Sequence, residues 1–349
     1  MQLDKFSVAT FNLFNLQDPG KDMNPRQRPW TKKQFGDKAN WTVFQLMMLE
    51  MPDIVGLQEL WSKAALGRVL KTGADKEHHL EHTYDMLADP ADGSKIICGA
   101  LVRKGLLTGD PQWIDKFPKE VQLKSKVDPL DRQAPEIGVN ISGFSRPVLN
   151  FQVKLRDDLP PTEVFVVHLK SKLPTEVNEE PWFTKDPDRF KPHADAIGAG
   201  ISTIRRTAEA VALRVLLTSK MKKSDTPVIV LGDINDGQHS NTANILTAQP
   251  NYLVGGSVGG TDIGLYTAQT LQEYRDTRDV YYTHVHQDLR ESLDHVLVSE
   301  QFYDNSRKRQ WVFDGLVINN DHLNFDNHKE TGTGDHGVVG VKFKHRPFR

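Results

Sequence analysis

Short runs rich in Val, Ile, Leu and Phe recur along the chain, each bounded by Gly, Pro, Asn or Asp. They predict strands at FSVATFN (6–12), DIVGLQE (53–59), CGALVRK (98–104), RPVLNFQV (146–153), VFVVHLK (164–170), PVIVLGD (227–233), SLDHVLVS (292–299) and GVVGVKF (337–343). Apolar positions at helical spacing predict helices over 31–50, 62–72 and 194–221. In the third, Ile197, Ile201, Ile204, Ala208, Val211, Val215 and Leu216 form the stripe expected to face the core, with Arg205, Arg206 and Glu209 elsewhere around the helix. Pro52 stops the first helix before the second strand. Strands outnumber helices and do not alternate with them regularly, which predicts an α+β fold rather than a doubly wound parallel sheet. No internal repeat, low-complexity tract or linker interrupts the chain, so residues 1–349 read as one domain. The segments 105–135 and 173–193, rich in Pro, Lys and Asp, read as loop excursions of the kind that shape substrate sites.

Composition narrows the class without choosing a substrate. A chain of 349 residues buries enough surface to need no staples. With 38% hydrophobic and 26% charged residues, a mean hydropathy of −0.50 and no apolar run of membrane-spanning length, no transmembrane segment is expected. The single cysteine, Cys98, has no partner for an internal disulfide and reads as a core residue. No basic segment followed by an apolar one opens the chain, and the cytoplasm is the expected compartment. A formal charge of −2 and a pI near 6.7 give no broad basic face for neutralising phosphates. Local clusters at Arg26, Arg28, Lys32 and Lys33, at Lys170 and Lys172, and at Lys220, Lys222 and Lys223 read mostly as solvated surface. Charge therefore decides neither for nor against nucleic acid, and no protein partner is implied.

The chemistry gathers where apolar strands stop. The first predicted strand ends in Asn12, the second in Gln58 and Glu59, the fifth in His168 and Lys170. The sixth runs into GDIND, with Asp233, Asn235 and Asp236; the seventh contains Asp294 and His295; the last follows Asp335 and His336. Carboxylates are seldom buried unless paired or metal-bound, so six such strand ends invite a common cause. Residues two apart on a strand share a face, which would group Asp233 with Asn235 and His168 with Lys170. A carboxylate beside an amide can orient a water while the amide donates to a phosphate. Asp294 and His336 read as an acidic orienter and a histidine base arriving from two strands. His284 and His286 read as rim residues rather than metal ligands.

Seven segments, ATFNLFN (9–15), PDIVGLQEL (52–60), FSRPVL (144–149), VVHLKSK (166–172), VIVLGDIND (228–236), LDHVLVS (293–299) and GDHGVV (334–339), occur in this order. Together they resemble the endonuclease/exonuclease/phosphatase superfamily of pancreatic-type deoxyribonucleases, abasic-site endonucleases, sphingomyelinases and inositol-polyphosphate 5-phosphatases. The resemblance implies a four-layered α/β sandwich, two mainly antiparallel sheets flanked by helices, with the site at one end. Glu59 then matches the principal metal carboxylate, Asn12 stands on the metal side, and Asp335 matches the aspartate before the terminal histidine. His168 matches a histidine that contacts phosphate and protonates the leaving oxygen. Asp233 and Asn235 match the GDxN pair, and Asp294 the partner of His336.

The implied reaction is hydrolysis of a phosphodiester with one or two Mg²⁺ or Mn²⁺ ions. Water is activated by His336 and Asp294, with Asp233 the other candidate base, while Arg146 and Lys170 contact the phosphate. VVHLKSK and SRPVL are most similar to the bacterial nuclease-like branch, which implies DNA or RNA as substrate. The alternatives are a small-molecule or lipid phosphoester and a non-catalytic binding relative. Trp182 and Phe183 are the candidates for a membrane-contacting loop.

Overall fold

Neighbouring residues of the long strands bury in opposite directions, and that alternation builds the layers of the protein. Val164 and Val166 enter one apolar cluster while Phe165 and Val167 enter another; Val8 and Ala9 divide in the same way. The computed structural model describes residues 2–72, 79–128, 130–131, 133–248, 250, 263–276 and 282–348.

One six-stranded sheet runs β15 (Trp311–Asn319), β16 (Val338–His345), β1 (Lys5–Leu16), β2 (Ile54–Ser62), β4 (Asp92–Arg103), β3 (Tyr84–Leu87). The other runs β11 (Tyr266–Thr267), β14 (Asp294–Val298), β10 (Val228–Asp233), β9 (Thr162–His168), β8 (Gly143–Val153), β5 (Leu107–Lys116). Two hairpins, β6 (Lys124–Ser125) with β7 (Ile137–Gly138) and β12 (His284–His286) with β13 (Leu289–Glu291), stand outside them. The helices are α1 (Lys32–Met48), α2 (Lys63–Leu70), α3 (Pro181–Thr184), α4 (Pro187–Phe190), α5 (Ala194–Met221), α6 (Asn241–Thr247), α7 (Ala268–Glu273) and α8 (His328–Thr331).

The two sheets meet through Val8, Ile54, Ala100, Phe151, Val164, Val166, Ile229, Leu231 and Val296. They approach closely at Gly56, where an added Cβ would lie 2.8 Å from that of Leu231. Helices α1 and α2 cover the outer face of the first sheet through Phe35, Ala39, Leu46, Leu66 and Val69. Helices α5 and α6 cover the second through Ala210, Leu213, Leu217, Ala243 and Leu246. This is the four-layered sandwich the resemblance implied. Both sheets are mixed: β1 and β2 are parallel, as are β9 and β10, and the other pairs are antiparallel. Each parallel pair spans a long helix in sequence, α1 or α5, the connection a parallel pair needs. A capping box starts α1, with Thr31 accepting from the Gln34 amide and Gln34 accepting from the Thr31 amide.

Three sequence expectations change. The 105–135 segment contains β5, an edge strand whose exposed LTGDPQWIDK hides its pattern behind Gly, Asp and Pro. Strand β15 escaped prediction because a bulge between Phe313 and Gly315 breaks its alternation. On α5 the expected apolar stripe is rotated: Ile204 is 49% exposed, while Gly198, Ser202, Arg206, Glu209, Leu213 and Leu217 are buried. Among the described residues no helix is long and apolar enough to cross a membrane. Trp182 is partly exposed and stacks edge-on against Phe183 and Phe190 in the 173–193 segment.

Candidate active site

The parallel pairs place their C-terminal ends side by side. Asn12 is opposite Gln58 in the first sheet and His168 opposite Asp233 in the second, with Asp294 on the other flank of Asp233. Asn12 Nδ2 lies 3.4 Å from Asp233 Oδ2 and joins the sheets at this end. The same Oδ2 is 3.6 Å from His168 Nε2 and 3.8 Å from His336 Nε2. Asn12 from within β1, His168 from the end of β9 and His336 from just before β16 thus meet at one carboxylate oxygen, which ends β10.

Each group is held by local structure. Asp233 Oδ1 accepts from the Asn235 amide at 2.7 Å, and Asn235 Nδ2 donates to the Leu169 carbonyl at 3.0 Å. Strand β10 ends at Asp233 and Asn235 has φ 55°, so these two are grouped by a turn and not by strand alternation. Glu59 also sits in the left-handed region, at φ 57°, where a non-glycine residue costs about 1–3 kcal/mol. Its Oε2 accepts from the backbone amide of Asn15 at 3.0 Å and from Asn15 Nδ2 at 2.7 Å. Gly232 has φ 153°, and a Cβ there would lie 2.0 Å from the Val167 carbonyl, so only glycine lets β10 approach β9 beside the His168–Asp233 pair. The Asp335–His336 segment rests on α1, where the buried Lys38 donates to the Thr333 carbonyl at 3.2 Å beneath the rings of Trp41 and Phe14.

His336 Nδ1 lies 2.8 Å from Asp294 Oδ2. Burial alone would lower the pKa of His336, but Asp294 and Asp233 hold it well above the ordinary histidine value. Burial lifts Asp233 to about 7, helped by Asp294 and Glu59 against the pull of His336. Burial and the neighbouring Asp335 also push Glu59 up. His168 goes the other way: burial, then Arg146 and His336, hold it well below the usual range, so its ring is neutral. Its buried Nδ1 has no hydrogen-bond partner.

These groups open into a cleft of about 510 Å³ whose lining includes Glu59, Arg146, His168, Asp233, Asn235, Asp335 and His336. Asn12 and Asp294 lie behind that wall, both buried. Lys170 is not brought to the cleft. Strand β9 ends at His168, so the alternation expected to aim Lys170 does not reach it, and its Nζ donates to Ser171 and to the Leu173 carbonyl. Lys172 lines the cleft instead, paired with Glu291 at 2.6 Å and 3.5 Å from Asp236. His284 and His286, in the β12–β13 hairpin, line the cleft rather than only its rim, and the His284 ring centroid lies 4.9 Å from that of His336. Sequence reading missed Asn15, Asn24 and Gln27 in the lining; Asn15 ends the ATFNLFN run but was not singled out, and Asn24 and Gln27 stand in a polar segment that marks neither.

Asp233, Asp294 and His336 offer ligand atoms within 4.8 Å of one another, close enough to hold a metal ion. A two-sheet sandwich that brings carboxylates, amides and imidazoles to one cleft has the groups that a hydrolase of the phosphoesterase class uses, the class that the family match supports. The sequence profile of the Endonuclease/Exonuclease/phosphatase family matches residues 144–336, and the chain belongs to that family. No curated protein sequence matches it. Among solved structures, D. rerio TDP2 humanized by 14 mutations is 17% identical with a TM-score of 0.55, over 98% of this chain and 100% of that one. D. rerio TDP2 complexed with single strand DNA product is 16% identical with a TM-score of 0.52, over 97% and 99%. The human nocturnin catalytic domain with bound sulfate anion is 13% identical with a TM-score of 0.53, over 99% and 95%. At such identities the likeness concerns the fold.

Proposed function

We propose that the chain is a metal-dependent phosphodiesterase whose two sheets form one catalytic domain, acting on phosphodiester bonds of DNA or RNA. The observation that carries this reading is the convergence of Asn12, His168 and His336 on Asp233 Oδ2, beside Glu59 and Asp335 in one cleft. That D. rerio TDP2 was solved with a single-strand DNA product supports a nucleic-acid substrate.

The donor set fits a hard divalent cation. Glu59 and Asp335 offer carboxylate oxygens in the cleft, with Asn12 behind them and its Oδ1 accepting from the Phe14 amide at 3.0 Å, and the crowding of Glu59 by burial and Asp335 is a state that added positive charge relieves. These three residues would hold Mg²⁺ or Mn²⁺, as one ion or two, and the cation would supply polarisation of a phosphoryl oxygen. The remaining steps belong to side chains. The Asp294 carboxylate can only accept, so His336 donates through Nδ1; its Nε2 takes a proton from water once positive charge in the cleft offsets the hold of Asp294 and Asp233 on the imidazolium. Asp294 then stabilises the imidazolium. Asp233, also in reach, can share that proton. His168, held neutral and lining the cleft, acts as an uncharged hydrogen-bonding partner of a phosphoryl oxygen. Arg146 neutralises developing negative charge, and the neutral amide of Asn235 stabilises it by hydrogen bonding. With its Nζ turned to Ser171 and Leu173, Lys170 gives up the expected phosphate role to Lys172.

A second reading, a small-molecule phosphoester, is favoured by the cleft rim. An Arg26–Glu176 ion pair joins the β1–α1 segment to the segment after β9 beside the cleft, and Lys172–Glu291, in the cleft lining, ties that second segment to the β12–β13 hairpin. The test is hydrolysis of bis(p-nitrophenyl) phosphate, plasmid DNA and single-stranded RNA with Mg²⁺ or Mn²⁺ and with chelator. Metal-dependent cleavage of the nucleic acids supports the first reading. Cleavage of the chromogenic diester alone supports the second, and inertness on all three rejects both.

A further inference from the structure

The β8–β9 ladder stops short of the cleft. Its last paired residues towards the site are Leu149 and Val166. Continued in the same register, Pro147 would face His168, Arg146 would face Leu169, and Ser145 would face Lys170. Pro147 has no N–H to donate, so the ladder cannot run through the residues the site uses. Beyond it, one side chain takes both strand ends. Glu209 of α5, 1% exposed, accepts from the Ser145 amide at 2.8 Å and the Ser145 hydroxyl at 2.5 Å with Oε1, and from the Lys170 amide at 2.7 Å with Oε2. Arg206, also buried on α5, holds the same peptide segment by donating to the Lys170 carbonyl at 3.3 Å. In the gap between these anchors, Arg146 Nη1 donates to the Leu169 carbonyl at 3.4 Å.

We propose that Glu209 is a positioning residue for the reaction: its carboxylate replaces the missing rungs and sets the spacing of the strand ends that carry Arg146 and His168. The assignment rests on the phosphoesterase reading above. Its chemistry requires a carboxylate, because three donors converge and only two acceptor oxygens can take them. Glutamine would keep the shape but turn an N–H₂ group against a backbone N–H. The splayed ends would then drift, and Arg146 and His168 would lose their common aim at one phosphate.

The test must separate this from the ordinary cost of an unsatisfied buried amide. Glu163, on the same sheet at the far end of β9, is an equally buried carboxylate with three hydrogen-bond donors and serves as the control. Steady-state kinetics with bis(p-nitrophenyl) phosphate and Mn²⁺ are measured for wild type, Glu209→Gln, Glu163→Gln, Arg146→Ala and the Glu209→Gln/Arg146→Ala double variant. Glu209→Gln should lower kcat at least about tenfold while Glu163→Gln stays within about twofold. The double variant should fall short of the product of the single effects by about fivefold or more, since one residue acts through the other. A wild-type kcat in Glu209→Gln, or effects that multiply, overturns the proposal. If Glu209→Gln does not fold, Ser145→Ala removes one of the three donors; a kcat loss of about two- to fivefold that does not multiply with Arg146→Ala supports the proposal, and any other result overturns it. A wild type that cleaves only nucleic acid is assayed on that substrate, and one inert on bis(p-nitrophenyl) phosphate, plasmid DNA and single-stranded RNA alike instead rejects the phosphoesterase reading. The clamp is then decided by calorimetric binding of inorganic phosphate, which Glu209→Gln must weaken relative to Glu163→Gln; equal affinities overturn it.

Discussion

Strand β9 buries an ionisable side chain at each end, and the two ends are built in opposite ways. At its start, Glu163 accepts from Asn150 and Gln152, each at 2.9 Å, and from Lys220 at 2.7 Å. Burial alone would raise its pKa, but these donors hold it below the ordinary glutamate value. At its finish, His168 keeps a ring nitrogen with no partner and stands 3.6 Å from a carboxylate lifted to about 7. Burial is alike at both ends; satisfaction is not. A buried polar group with every partner present is a fastener, while one left short, beside others with shifted pKa values, is a mark of a functional site.

The largest effect expected from this contrast is at the unsatisfied end. His336→Ala should lower turnover at least about a hundredfold with the circular dichroism spectrum unchanged; near-normal rates would remove His336 from the mechanism. Asp233→Asn should also abolish most activity, yet stabilise the metal-free fold at pH 8. A carboxyl group whose folded pKa is raised contributes stability that is complete below the unfolded value near 3.8 and lost as pH rises through about 7. The melting temperature of the variant should therefore exceed that of wild type at pH 8, with the gap narrowing towards pH 5. A gap that widens on acidification would contradict the assignment. Gly232→Ala should cost about 1–3 kcal/mol by overpacking against Val167 and lower kcat as well, because the displaced strands hold His168 and Asp233. Denaturant titration beside steady-state rates checks both parts, and loss of stability alone would detach Gly232 from the site. The smallest effect on catalysis belongs to the satisfied end. Glu163→Gln should cost about 1–3 kcal/mol above the glutamate titration range, lose that penalty as pH falls below it, and leave turnover within about twofold. A large drop in kcat would mean the two ends are not separable.

Much of the site was legible because its residues interrupt local patterns. Asn12, Glu59, His168, Asp233 and Asp294 each break an apolar run, and such a break is visible within a few residues. Glu209 and Arg206 were hidden for the converse reason. On a helix, polar residues beside an apolar stripe read as solvent-facing, and nothing local tells that these two turn inward to the splayed ends of β8 and β9. Lys38 escaped notice similarly, since only the packing of the Thr333 segment on α1 buries it. The pleat rule erred at Asn235 and Lys170 because both strands stop before those positions.

From sequence alone came the strand runs, the long helices between the parallel strands, and the polar residues that end the runs. Each follows from interactions between residues near in the chain: side-chain alternation, helical spacing and backbone punctuation. Which strand ends meet, that Asp233 becomes their common point, that a turn rather than a pleat aims Asn235, and that a helix carboxylate replaces missing ladder bonds were decided by tertiary structure. Those outcomes depend on contacts between residues far apart in sequence and on the removal of water from charged groups, neither of which local pattern records.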